Sequence, residues 1–361
     1  MIPYGSYPDP AAIKRVLVIK LRHHGDVLLT TPVFSCLRKA LPDVQVDAFI
    51  YQETAPMLAG NPDIGELHCY DGGWKAFSPL QRLGREIQLA QKIRRQRYDV
   101  AINLTEGDRG ALAALFSGAK IRVGWDPGGE GFVGKKKIYT HIIKRSARPR
   151  HMVEQNLDAI RILGIFPTPE DRDLRLEIPD QARATFGQRL AGAGIAPQSY
   201  LLIHPTSRWL FKCWPLEHNI ALIRSLQEKN IPIVLTAAPD PQELHLIDRI
   251  VAACGTNNLL DLGGQLSLKE LAAAIDSCRC LFTIDSVPMH MAAARKKPTV
   301  VLFGPSSEDA WGPWRNPKAR VITAPYSCRP CNLDGCGGGK VCDCLTGIPV
   351  SAVLDRITAL W

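Results

Sequence analysis

The chain is poor in the features that mark membrane-embedded, secreted or dinucleotide-binding proteins. No apolar run approaches the ~18 residues that span a bilayer, so no membrane-crossing helix is expected. The opening stretch MIPYGSYPDP has neither a charged n-region nor an apolar h-region. No secretory signal is read there, and the expected location is the cytosol. Aromatic residues make up only 7% of the chain, and none of them interleaves with basic residues as single-strand nucleic-acid binders require. No Gly-x-Gly-x-x-Gly follows the first strand-like run, which disfavours nicotinamide-dependent dehydrogenases and epimerases. The stretch GCGGGK falls short of a P-loop: Asp334 stands where its first glycine belongs, and Val341 follows Lys340 where Ser or Thr is needed. Acids are outnumbered, with 35 Asp and Glu against 44 Lys and Arg and a net charge of +9. That balance suits an anionic partner: nucleic acid, a membrane surface or a phosphorylated substrate.

What is present is alternation. Short β-branched runs end in Gly, Asp, Asn or Ser, and longer amphipathic runs follow them. Strands are expected at 15–20, 44–51, 66–70, 100–104 and 121–124, then at 200–204, 232–236, 259–262, 280–284, 299–303 and 319–323. Helices are expected at 31–41, 109–117, 153–163, 216–229, 241–253, 268–277 and 287–295. Such alternation predicts an α/β fold with parallel sheets covered on both faces. The series restarts after the polar stretch TPEDRDLRLEIPDQ, and 361 residues fit two domains of about 100–200 residues each. The reading is two doubly wound domains facing each other across a cleft, residues 1–180 and 181–348. A helical tail, 349–361, could pack back on either domain, with the N-terminal one expected.

Eleven cysteines in a chain read as cytosolic are taken as reduced thiols. Five cluster in CRPCNLDGCGGGKVCDC, but after Cys328-x-x-Cys331 no second pair or histidine follows at zinc-ligand spacing, and no metal site is expected. Basic residues gather in two places. Lys135 to Arg150 holds seven Lys or Arg and no acid, and is read as a loop or strand edge. Gln81 to Arg97 places Leu83, Ile87, Ala90 and Ile93 at helical spacing among arginines. That pattern fits either an interfacial helix at a membrane or a surface helix with one face on the core.

In doubly wound sheets, ligands bind outside the carboxyl ends of the strands, so strand ends carry the chemistry. VLVIKLRHHGDVLLTTP runs from a buried strand through Lys20, Arg22, His23 and His24 to Asp26 on a glycine turn. A carboxylate ringed by cations favours its charged form, and in a cleft it is a candidate general base; equally, it could serve only as a helix N-cap. LFTIDSVPMHMAAA gives a strand, then Asp285-Ser286, then a helix with Pro288 in its first turn. Ser286 as N-cap and the N–H of Val287 would make an anion site there, with His290 one turn on. IHPTSRWLFKCWP supplies Thr206 and Ser207 as phosphate donors and Arg208 or Lys212 as neutralising cations. Asp240 and Glu243 follow the next strand, and either could hold a ribose.

Taken together and in this order, VLVIKLRHHGDVLLTTP, HPTSRWLFKCWP, IDSVPMHMAAA, VLFGPSSEDAWGPW and CRPCNLDGCGGGKVCDCL resemble the lipopolysaccharide core heptosyltransferases of glycosyltransferase family 9, nearest the heptosyltransferase III branch. The resemblance runs from about Arg15 to the tail. It implies a GT-B fold and transfer of L-glycero-D-manno-heptose from ADP-heptose to an inner-core heptose with inversion, without a metal or other cofactor. By position, Asp26 matches the family's general base, and Lys20, Arg22, His23 and Arg122 fall to acceptor binding. Thr206, Ser207, Lys212, Asp240, Asp285, Ser286, Val287 and His290 fall to the donor, with Asp240 preferred over Glu243 for the ribose. Val287 replaces the glycine of the family pattern, and Arg22 and His23 replace its hydroxyl residues. The implied partners are ADP-heptose, a phosphorylated lipid A–core acceptor and the cytosolic face of the inner membrane, with no nucleic acid.

Overall fold

The computed structural model describes residues 8–144, 146 and 148–361. The chain divides into two compact units, Met1–Glu177 and Ile178–Trp361, a boundary three residues before the one read from sequence. In the first unit, strands β1 (Arg15–Lys20), β2 (Gln45–Tyr51), β3 (Leu67–Tyr70), β4 (Val100–Asn103), β5 (Ile121–Trp125) and β6 (His141–Ile143) form one sheet. Its order is β3-β2-β1-β4-β5-β6, and every pairing is parallel. The sequence of β1 explains its central place. Val16, Leu17, Val18 and Ile19 are all buried, so both faces of the strand need cover and both are apolar.

The second unit repeats the plan. Strands β7 (Leu201–His204), β8 (Ile233–Leu235), β9 (Leu259–Asp261), β10 (Cys280–Ile284), β11 (Thr299–Leu302) and β12 (Ala319–Ile322) follow in the chain. They pair in parallel in the order β12-β11-β10-β7-β8-β9. Renumbered within its own unit, each sheet has the doubly wound order 3-2-1-4-5-6, whose direction reverses between the first and fourth strands. That reversal puts one switch point between β1 and β4 and the other between β7 and β10.

Three expectations change. The basic stretch from Lys135 contains a short helix, Lys135–Ile138, and the edge strand β6; its Arg145 and Ala147 lie outside the described residues. The helix read at Gln81–Arg97 spans Pro79–Arg95, opened by a Ser78/Gln81 capping box. Of its apolar residues only Ile93 is buried, while Leu83 and Ile87 are exposed. The tail helix, Val350–Thr358, does not need the first unit to cover it: Val353 and Ile357 sit in the second unit's own core with Leu222 and Leu226. Its four-residue apolar spacing matches the face left open by helix Leu216–Glu228, against which it packs.

Two predictions follow from this core. Ile357 is fully buried, and Ile357→Ala should cost about 2–5 kcal/mol in urea unfolding; a change near zero would detach the tail helix from the core. His204, at the end of β7, has its imidazole pKa pushed down to about 4 by burial. An unfolded histidine titrates near 6.5. Between those values the unfolded chain binds the extra proton, so stability falls as pH drops. From about pH 7 to about pH 4.5 the native chain should lose about 2 kcal/mol more stability than His204→Asn does. Parallel pH profiles for the two proteins would contradict this.

Candidate active site

At the first switch point, the chain leaves β1 at Lys20 and turns into a short helix, His24–Leu28. The N-cap of that helix is His23, so Asp26 sits inside the first turn and is not the cap. Gly25 is likewise helical, because the turn begins two residues earlier than a glycine hinge would place it. Asp26 keeps some exposure, with 14% of its side chain accessible, and its Oδ1 lies 3.8 Å from the Nζ of Lys20. Lys20 itself is buried and donates to the carbonyl of Leu104 at 3.0 Å. Burial, with Arg22 nearby, pulls its ammonium pKa down against the opposing pull of Asp26. Lys20 was expected to touch the acceptor. It is instead buried, with its ammonium bonded to the carbonyl of Leu104 and paired with Asp26, so it acts on the carboxylate and does not itself reach solvent.

The end of β4 forms the other wall of this switch point, and sequence reading missed it. Thr105 accepts a hydrogen bond from the N–H of Leu21 at 2.7 Å, locking the loop after β1 to the loop after β4. The only signal was a hydroxyl following a strand in NLTEGD. Arg22 and His23 are exposed on the loop that leads into the helix carrying Asp26. Arg122 is elsewhere. It is the second residue of β5, paired with Ala101 and so toward the amino edge, and its guanidinium donates to the carbonyls of Ile138 and Ala119, both at 2.6 Å. These bonds hold its guanidinium near the amino edge, away from the carboxyl ends of the strands where Asp26 lies.

At the second switch point, residues after β7 and β10 converge. Lys212 donates from Nζ to Asp285 Oδ2 at 2.6 Å. Thr206 is fully buried and donates to Glu243 Oε2 at 2.6 Å, while the N–H of Ala238 donates to the same oxygen at 3.3 Å. Ser207 is buried beside it and accepts from the N–H of Trp209 at 3.3 Å. Ser286 occupies the N-cap position of helix Val287–Ala294 but does not cap it. Its hydroxyl turns back toward the carbonyl of Ile284 at 3.2 Å and Thr283 Oγ1 at 3.3 Å. Pro288 has no N–H and the N–H of Met289 donates to the carbonyl of Ser286 at 3.2 Å, so in this first turn the N–H of Val287 is the donor that suits an anion. Val287 is half-buried and His290 is buried one turn on. Asp240 belongs to another job. It is exposed, and its Oδ1 accepts from the N–H groups of Gln242 and Glu243 as the N-cap of helix Pro241–Cys254. Of the two candidate acids, it is Glu243 that reaches the switch point.

Among the described residues, one group has metal-ligand spacing: Asp47, Glu66 and His68. It lies at the amino edge of the first sheet, and its members are largely tied to protein partners, with Nδ1 of His68 left buried without one. Tyr98 donates to Asp47 at 2.6 Å and contacts His68 at 2.8 Å, and Lys92 pairs with Glu66 at 2.5 Å. The late cysteines do not converge three at a time to ligand distance. Burial pushes the Cys342 thiol up to about 12, which suits an inert structural thiol.

With this geometry in hand, the chain can be placed among known proteins. Residues 87–341 match glycosyltransferase family 9 (heptosyltransferase). Over 294 residues the chain is 33% identical to lipopolysaccharide heptosyltransferase 3 of Escherichia coli K12, covering 81% of this chain and 83% of that one. A family 9 glycosyl transferase from Veillonella parvula superposes with a TM-score of 0.80 at 24% identity, covering 96% of this chain and 97% of its own. The E. coli heptosyltransferase WaaC, solved with ADP, superposes with a TM-score of 0.75 at 19% identity over 96% of this chain and all of its own. Two parallel six-stranded sheets with flanking helices are the architecture these structures share. The chain belongs to glycosyltransferase family 9, the heptosyltransferases.

Proposed function

We propose that this glycosyltransferase moves L-glycero-D-manno-heptose from ADP-heptose to an inner-core heptose of lipopolysaccharide, with inversion, adding the branching third heptose. The observation that carries the reading is Asp26: a solvent-reached carboxylate at a switch point, held by a buried lysine. Asp26 takes the proton from the acceptor hydroxyl as that oxygen attacks the anomeric carbon. The bond from that carbon to the β-phosphate oxygen breaks, and its electron pair leaves with ADP. Lys212 and the Val287 N–H neutralise the charge that grows on the pyrophosphate. Lys212 has three donors, so it can keep Asp285 while meeting a phosphate oxygen. Asp285 is then a positioning residue. Thr206, expected as a phosphate donor, is fully buried and spends its single hydroxyl proton on Glu243, so it offers the phosphate no donor. The scheme requires no metal.

The choice of the third heptose draws on the 33% identity to E. coli heptosyltransferase 3, and on the exposed guanidinium of Arg22 and imidazole of His23, just before Asp26 in the chain, which suit a phosphorylated core sugar. Because that acceptor is anchored by lipid A, the enzyme would work at the cytosolic face of the inner membrane, as a peripheral protein. Among the described residues no helix is long and apolar enough to cross a membrane, and nothing in this scheme calls on nucleic acid.

Asp26→Asn keeps the shape and removes the proton acceptor. With purified core acceptor and ADP-heptose, kcat should fall by about 10²–10⁴-fold, while ADP affinity stays unchanged by calorimetry. A near-native kcat would take Asp26 out of the reaction. Mass spectrometry of core oligosaccharide from cells with and without the gene should differ by one heptose; a difference of any other sugar would overturn the assignment.

A further inference from the structure

Surface helices ordinarily turn their apolar stripe inward and show polar residues to water. Helix Pro79–Arg95 carries a second apolar stripe on its outer side. Leu80, Leu83 and Ile87, at i, i+3 and i+7, form one stripe, and it faces solvent, with Leu80 83% exposed. The inward side is held by Leu89 and Ile93, packed on the core. Its neighbour, helix Asp108–Phe116, packs against it and repeats the pattern. Ala111 and Ala114 are buried, while Leu112, Leu115 and Phe116 point outward. Phe132 and Val133, in the loop following β5, are exposed as well. Among the described residues of the first unit, every exposed large apolar side chain except Phe166 lies on these elements or, as Phe77 does, leads into them. Concentration on this scale marks a docking surface; scattered apolar exposure would not.

The location follows from topology. These elements are the successive crossovers β3 to β4, β4 to β5 and β5 to β6, which run in one direction along the sheet and so cover one face. Helix Pro79–Arg95 starts at the carboxyl edge, and Phe132 and Val133 follow the carboxyl end of β5. Asp26 lies at that same edge. The charge is one-sided: the helix carries five Lys or Arg and one Glu, and that Glu86 is paired with Arg82. Arg94 falls seven residues after Ile87, so the stripe begins apolar at the carboxyl edge and ends basic.

We propose that this face seats on an anionic lipid bilayer. Leu80, Leu83 and Ile87 enter the boundary between headgroups and acyl chains, and Arg94 and Arg95 lie against the phosphates. The proposal rests on the lipid-borne acceptor assigned above for its purpose, though the surface itself is read independently. A second copy of the chain is disfavoured as occupant, because it adds basic charge to a basic face where an anionic surface neutralises it. Nucleic acid would leave the leucines uncovered.

Sedimentation of the full chain with vesicles tests this. Binding is expected to phosphatidylethanolamine–phosphatidylglycerol vesicles and not to phosphatidylcholine alone. The triple variant Leu80→Ser, Leu83→Ser, Ile87→Ser should lower the partition coefficient more than about tenfold with unchanged thermal unfolding. Arg94→Gln should lower it by about fivefold. Equal binding by all three proteins, no binding by the native chain, or a dimer abolished by the serine substitutions would overturn the proposal. Transfer to a delipidated acceptor separates the two readings: transfer without vesicle binding sinks the docking surface alone, and vesicle binding without transfer sinks the proposed activity alone.

Discussion

The structure depends on one constraint, the parallel pairing of the first and fourth strands in each unit. Once β1 pairs with β4 and β7 with β10, the chain must leave the two strands toward opposite sides. The loops then diverge and leave an opening at the carboxyl edge of the sheet. Every residue that the proposed transfer uses hangs from one of those two openings. The strands that create them are buried on both faces, so the openings are set by the most rigid part of each unit.

The two openings use the same pair of side chains in opposite ways. Each holds a lysine against an aspartate. In the first, Lys20 is the more hidden partner, 6% exposed against 14% for Asp26, so the carboxylate is what reaches solution. In the second, Lys212 is 22% exposed against 10% for Asp285, so the ammonium is presented. A proton acceptor on one unit and an anion-neutralising cation on the other are the two things an inverting sugar transfer from a nucleotide donor requires. The hidden partner in each case fixes the presented one, by Coulomb attraction in a region of reduced dielectric.

Most of the frame was legible because it rests on patterns that local chemistry dictates. Apolar runs such as VLVI and LFTI could only be covered strands, and eleven of the twelve strands follow from them; β6 was hidden because His141 and Thr140 interrupt the apolar signal in a basic stretch. Site residues were read by their nearness to strand ends, and that rule works only when the side chain is free to point outward. Lys20 obeys the rule in position and fails it in exposure, since the carbonyl of Leu104 draws its head group inward. Arg122 sits at the wrong end of its strand, a distinction that needs register. Asp240 was a helix cap by the very criteria that make Asp a good cap. Glu243, three residues on, reaches the switch point because one helical turn carries it back over Thr206.

The central claim is that the two openings divide the labour, with phosphate recognition in the second unit and proton removal in the first. Calorimetric titration of ADP into the native chain, Lys212→Ala and Asp26→Asn tests that division most directly. The account predicts ADP affinity at least about tenfold weaker in Lys212→Ala, charge-assisted hydrogen bonds being worth about 1.5–3 kcal/mol, and native affinity in Asp26→Asn. Native affinity in Lys212→Ala, or a loss of binding in Asp26→Asn, would contradict it.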